Sequence, residues 1–146
     1  MNRLLALFER IPYDLLALVA RAATFVVFWR SGQVKLDDWA ATLGLFETEY
    51  RLPLLPPHLA AYLAAGLELG GSVLVLAGLA TRFAALAFLG MVAIIQIFVY
   101  PSAWPTHIQW LAFLLLLVAR GPGRVSLDAL VQRLARAGTQ GATPAA

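Results

Sequence analysis

Gly66-Leu67-Glu68-Leu69-Gly70-Gly71 lies inside an apolar run from Leu59 to Ala80, and Glu68 is the only charged residue in that run. The run is long enough to cross a bilayer. A carboxyl group near the middle of a membrane helix is expensive, so it normally faces a protein interior and has a partner. Gly66 and Gly70 form a small-xxx-small pair, which predicts close approach of a neighbouring helix there. Ala61, Ala64, Ala65, Glu68, Gly71, Ser72 and Val75 follow the spacing of one helical face. The glutamate is therefore expected on the face used for helix contact, facing the first membrane helix and at least one other.

The chain has 146 residues, one domain's length, with 61% hydrophobic and only 13% charged residues. Soluble domains carry about a quarter charged residues. The composition is that of an integral membrane protein. The net charge of +3 comes from arginines gathered at the ends of apolar runs. That pattern speaks for membrane orientation and against nucleic-acid binding. There is no cysteine, which excludes disulfides, thiolate metal sites and dithiol chemistry by this chain. Glu9, Arg10, Pro12 and Asp14 interrupt the first apolar stretch, so no cleavable signal is expected.

Outward from the central run, four membrane helices are predicted at about 14–32, 59–80, 83–100 and 106–119. Asn2 to Ile11 reads as a short interfacial helix ended by Pro12. Val34 to Pro57 is mixed polar and aromatic, with Asp37 or Asp38 as a helix cap, and is expected to fold onto the bundle. Thr81-Arg82 is so tight a turn that helices two and three must be antiparallel neighbours. Ser126 is a plausible cap for an amphipathic interfacial helix over about 127–137, and 138–146 reads as a flexible tail. The fold class is thus all-α: an integral membrane four-helix bundle with a short extracytoplasmic helix or loop and a C-terminal interfacial helix, one domain over 1–137. Arg3, Arg10, Arg82, Arg120, Arg124, Arg133 and Arg136 fall on one side, and Arg30, Lys35 and Arg51 on the other. The positive-inside rule then puts both termini in the cytoplasm.

Arg30-Ser31-Gly32, Lys35, Glu68-Leu69-Gly70-Gly71, Gly78-Leu79-Ala80-Thr81-Arg82 and Arg120-Gly121-Pro122-Gly123-Arg124-Val125-Ser126-Leu127-Asp128, in that order, resemble the DoxX family of small bacterial four-helix membrane proteins. The resemblance implies a bundle in the bacterial inner membrane, tied to oxidoreductase systems. Its members occur in a thiosulfate:quinone oxidoreductase context, with superoxide or thiol defence, and in natural-product operons. It implies no single reaction, and the chain carries no self-sufficient catalytic motif.

The candidate site follows from depth. At about 1.5 Å per helical residue, Glu68 lies on the order of 14 Å below the outer surface. Gln96 falls in the outer half, and Arg30, Lys35, His107, Gln109 and Trp110 lie near that surface. A pocket opening outward with Glu68 at its floor is the economical reading, with Arg30 as the acid's cationic partner by depth. Each of these residues also has a bland role: aromatics at interfaces, snorkelling cations, and polar glue between helices. His58 and His107 are the only histidines and form the weak alternative of a haem or metal site. The expected function is a membrane subunit of a redox-associated system, holding a quinone or similar apolar ligand beside Glu68. The alternatives are a non-catalytic anchor or assembly partner for a soluble oxidoreductase, and a small-molecule or lipid carrier. Expected partners are the lipid bilayer, a redox partner protein and a second copy of the chain.

Overall fold

The structure, a computed structural model, describes residues 11–53 and 55–140. Helix α1 spans Tyr13–Asp37, α2 Trp39–Leu45, α3 Pro57–Ala77, α4 Thr81–Val99, α5 Trp104–Arg120 and α6 Leu127–Gln140. No strand occurs among the described residues. Helices α1, α3, α4 and α5 (the last with its preceding turn Pro101–Ala103) are each long and apolar enough to span a bilayer, so the chain is an all-α, multi-pass membrane protein. The interfacial helix expected over 2–11 lies, Ile11 apart, outside the described residues. So does the part of the expected tail beyond Gln140, whereas α6 itself runs past the expected end at Ala137.

One core unites the four spanning helices. Phe28 of α1 stacks on Phe88 of α4 with ring centroids 4.1 Å apart, and Trp110 of α5 meets Phe28 edge-on at 5.6 Å. Val75, Ala85, Val92, Leu114 and Leu117 fill the space around these rings and are fully buried. Leu15, Val19, Val26, Phe83, Leu86 and Leu115 point outward, as a lipid-facing surface requires. The small face expected on α3 is the packed one: Ala61, Ala65, Glu68, Gly71, Ser72 and Val75 are all buried. Gly66 and Gly70 are a correction. A Cβ at either would meet nothing within 4 Å, and both are exposed. Close approach happens instead at Gly71, where a Cβ would lie 3.2 Å from the Phe88 ring.

Helix α1 does not stop at Gly32. It continues to Asp37, because Gly32 is a contact point and not a terminator. A Cβ there would sit 2.8 Å from Leu69 Cγ and 3.1 Å from Glu68 Cβ. The missing side chain lets α1 and α3 touch, and the helix runs on with its ladder intact. Asp38 then starts α2, its Oδ1 accepting from Ala41 N–H at 2.9 Å. Thr42 donates to the Lys35 carbonyl at 3.0 Å and docks α2 on the end of α1. Residues 39–53 and 55 fold onto the bundle as a lid. Phe46 is buried with Ala60 and Ala61, Trp39 packs on Tyr62, and Tyr100 donates to Glu49 at 2.7 Å.

The opposite end is closed by a polar knot. Buried Arg21 donates from Nε to Val75 O (2.9 Å), from Nη1 to Val125 O (2.5 Å) and Pro122 O (3.3 Å), and from Nη2 to Leu76 O. These carbonyls belong to the last turn of α3 and to the 121–126 loop, so one guanidinium ties the end of α3 to that loop, beside the backbone bonds from Gly78 and Leu79 that cap the helix. Gly78, at φ +72, caps α3 in the left-handed conformation. Asp128 accepts from the N–H groups of Ala80 (2.8 Å) and Thr81 (3.1 Å) and starts α4, while its own N–H donates to Gly78 O at 2.8 Å. Asp14 accepts from Arg124 N–H at 2.6 Å, and Tyr13 donates to Gly121 O at 2.5 Å. The tight turn after α3 and the glycine-rich segment after α5 are thus two halves of one joint.

Candidate functional site

Glu68 sits in α3 within one wide, π-helical turn, Leu67–Gly71, and is 3% exposed. Such single wide turns are frequent at functional sites. Ser31 and Lys35 stand one turn apart on α1, on the face that meets α3. Ser31 Oγ donates to Glu68 Oε1 at 3.0 Å. Lys35 Nζ donates to the same oxygen at 2.9 Å and to Ser31 Oγ at 3.0 Å. The ammonium also lies 2.8 Å from Oε2, so Lys35 pairs with both oxygens of the carboxylate. A carboxylate has about four acceptor sites, so this buried group retains unused capacity.

Glu68 borders an apolar cavity of about 530 Å³, within the range of small-molecule sites. Glu68, Lys35 and Ser31 form its polar wall. Helices α3 and α4 pack together through Leu67–Gly71 and Ser72–Ala77, while Pro57–Gly66 packs on α1 and the lid. The cavity occupies the cleft so formed. Phe46, Tyr50, Leu52 and Leu55 of the lid segment line it, as do His107 and Trp110 of α5. An open outward mouth was expected. The lid segment lines that end, and the exposed members of the lining are Leu63 of α3, Ala87, Gly90 and Ile94 of α4, and Tyr100 just after α4. The lining thus reaches the surface between α3 and α4 as well as at Tyr100 beside the lid.

His107 is buried in the first turn of α5, and its Nδ1 lies 2.7 Å from Gln96 Oε1. Gln96 donates from Nε2 to Pro101 O at 2.8 Å. That carbonyl can only accept, so the amide orientation is fixed and Oε1 must face the histidine. His107 Nδ1 then carries the proton, and the lone pair of the neutral ring is on Nε2. Trp110 packs beside the imidazole with centroids 5.1 Å apart.

The candidate residues thus divide. Glu68, Lys35, His107 and Trp110 line one cavity, and Gln96 orients His107. Arg30 is exposed and borders an adjoining groove of about 340 Å³ under α2, which shares Ser31, Lys35, Phe46 and Tyr50 with the cavity; the partner of Glu68 is Lys35. The depth estimate weighed Arg30 against Arg21, which lies nearer the other end of α1; the helix that continues past Gly32 puts Lys35 on the Glu68 face. Gln109 is exposed and donates to Pro105 O of its own helix at 3.0 Å. His58 is exposed and 3.3 Å from Glu47, so it and His107 engage different partners. No group of three or more metal-ligating side chains occurs among the described residues. Ser31, Tyr50 and Tyr100 also line the cavity and were not singled out in the sequence. Ser31 was legible there, since it precedes Lys35 by one helical turn; the tyrosines depend on how the lid folds.

A family model of DoxX matches residues 16–101, more than half of the chain. The matched segment holds Ser31, Lys35, Glu68 and Gln96, and it ends before His107, Trp110 and the 120–128 segment. No curated protein and no solved structure matches the chain. With four membrane-spanning helices, a membrane-embedded acid held by α1, and this match over the region that builds them, the chain belongs to the DoxX family.

Proposed function

We propose that this protein is the membrane subunit of a redox-associated system and binds a quinone or a similar lipid-soluble molecule in the cavity beside Glu68. One observation carries the reading: the ion pair of Lys35 with the buried Glu68, together with Ser31, forms the polar wall of a cavity of about 530 Å³ whose other walls are mostly apolar. An apolar cavity with a few convergent polar groups suits a small ring with a polar edge. The Lys35 ammonium can donate to a carbonyl oxygen of the oxidised ring. Glu68 and His107 Nε2 can accept from the hydroxyls of the reduced ring and take up their protons. The lining exposed between α3 and α4 supports entry from the bilayer. The chain has no cysteine, so electrons would pass to or from a partner protein.

Gentle extraction followed by mass spectrometry of the organic extract tests this directly. A quinone at near-stoichiometric amounts is expected. Titration of delipidated protein with a quinone, followed through Trp110 fluorescence, should give saturable binding that Glu68→Gln or Lys35→Met weakens about tenfold, the worth of one charged hydrogen bond. No bound small molecule and no saturable quenching would refute the reading, and a stable complex with a soluble oxidoreductase under those conditions would favour the anchor role. The same proposal places the protein in a bacterial inner membrane with both termini inside. Ser102→Cys should then label from outside and Thr139→Cys should not; the reverse pattern overturns the orientation.

A further inference from the structure

The polar knot leaves a groove of about 670 Å³ between the start of α1, the start of α4, the end of α5 and α6. Arg82, Arg120 and Arg124 line it, with Asp14 and Asp128. Three guanidiniums against two carboxylates leave the lining with one net positive charge. Asp128 spends both oxygens on the Ala80 and Thr81 amides, and Asp14 accepts from the Arg124 amide. The ion pairs found among the described residues are Lys35–Glu68 and His58–Glu47, neither of them here. Arg82 makes one long contact, 3.5 Å to Ala119 O. Arg120 lies over the Tyr13 ring, 4.7 Å from its centroid, which occupies its face and leaves its N–H edges available. The groove is therefore net positive, with donors to spare.

Its place in the fold says what covers it. It lies where three spanning helices begin or end, at the level of lipid headgroups. Apolar surface flanks it: Phe83, next to Arg82, is 79% exposed, and Leu127, Leu130, Val131 and Leu134 are exposed on α6. Guanidiniums above outward-facing apolar side chains match a phosphate joined to acyl chains. We propose that this groove is a binding site for the phosphodiester headgroup of an anionic phospholipid, with its acyl chains descending along Phe83. The site is separate from the Glu68 cavity and lies at the other end of the bundle. Bound lipid would tie α6 to the membrane surface and hold the joint between the two helix pairs.

Native mass spectrometry of the full chain, with phosphatidylglycerol and phosphatidylcholine as probes, tests the proposal. Phosphatidylglycerol should bind at least tenfold more tightly. Arg82→Gln with Arg124→Gln should abolish that preference and leave phosphatidylcholine binding unchanged. The charge-matched pair Arg133→Gln with Arg136→Gln, on α6 outside the groove, should keep it. Equal affinity for the two lipids in the wild type overturns the proposal. Equal loss in both double variants also overturns it, because the preference would then be diffuse surface charge. Displacement by inorganic phosphate at comparable concentration would make the site one for free phosphate and refute the lipid assignment. If the first double variant does not fold, Arg124→Gln alone gives the measure, since only the Arg124 backbone amide makes a hydrogen bond to the rest of the fold.

Discussion

Gly32→Ala is the substitution that most directly separates a helix terminator from a packing contact. The added Cβ would lie 2.8 Å from Leu69 Cγ, 2.9 Å from Leu69 Cδ2 and 3.1 Å from Glu68 Cβ. Two of these distances are shorter than carbon atoms tolerate, so α1 and α3 must separate or Leu69 must leave its rotamer. Overpacking of this kind costs about 1–3 kcal/mol. Against it stands the gain of replacing glycine in a helix, about 1 kcal/mol. Gly66→Ala supplies that gain alone, because a Cβ at Gly66 meets nothing within 4 Å. The difference between the two variants should therefore be about 1–3 kcal/mol, with Gly32→Ala the less stable. For a chain near this size that is roughly 2–12 °C in Tm, read by thermal unfolding in one detergent. Leu69→Ala in the Gly32→Ala background should recover part of the loss, since it removes the two closest atoms. Equal Tm values for Gly32→Ala and Gly66→Ala would refute the close contact, and with it the account of how Lys35 reaches Glu68.

Arg21→Met removes the donors of four carbonyl hydrogen bonds at the knot and should destabilise by about 3 kcal/mol or more, at 1–3 kcal/mol for each buried group left unpaired; Arg21→Lys should rescue little, because a single ammonium cannot fork to both segments. A near-silent Arg21→Met in chemical denaturation would contradict the joint. Asp128→Ala uncaps α4 and should cost about 0.5–2 kcal/mol, with hydrogen exchange at Ala80 and Thr81 rising first. Tyr100, between α4 and α5, donates to Glu49, and this hydrogen bond, with burial adding to it, raises its pKa. The raised folded value means that the contact contributes in full below the free phenol's pKa of about 10 and is lost as pH rises beyond it. Tm measured from neutral pH upward should fall more steeply above about pH 10 in wild type than in Tyr100→Phe, and parallel curves would refute the contact.

The sequence alone determined the environment and the helix count. Apolar runs of spanning length separated by Pro, Gly and charged residues admit few other structures, because in hydrocarbon every backbone group must bond within its own segment. It also determined which face of α3 is buried, since Ala61, Ala65, Glu68, Gly71, Ser72 and Val75 recur at helical spacing. It could not determine the partner of Glu68. Arg30 and Lys35 are both cations near the end of α1, and the choice rests on whether the helix passes through Gly32. Local propensity argues for a stop there, and the contact with Leu69 and Glu68 overrides it. Gly66 and Gly70 carried the same ambiguity in the opposite sense, because a glycine's use depends on what lies across from it. The cavity was the least legible feature. It exists because α3 leaves α4 above the wide turn at Leu67–Gly71 and the lid lines the gap, and a divergence between two helices is a property of neither sequence segment taken alone.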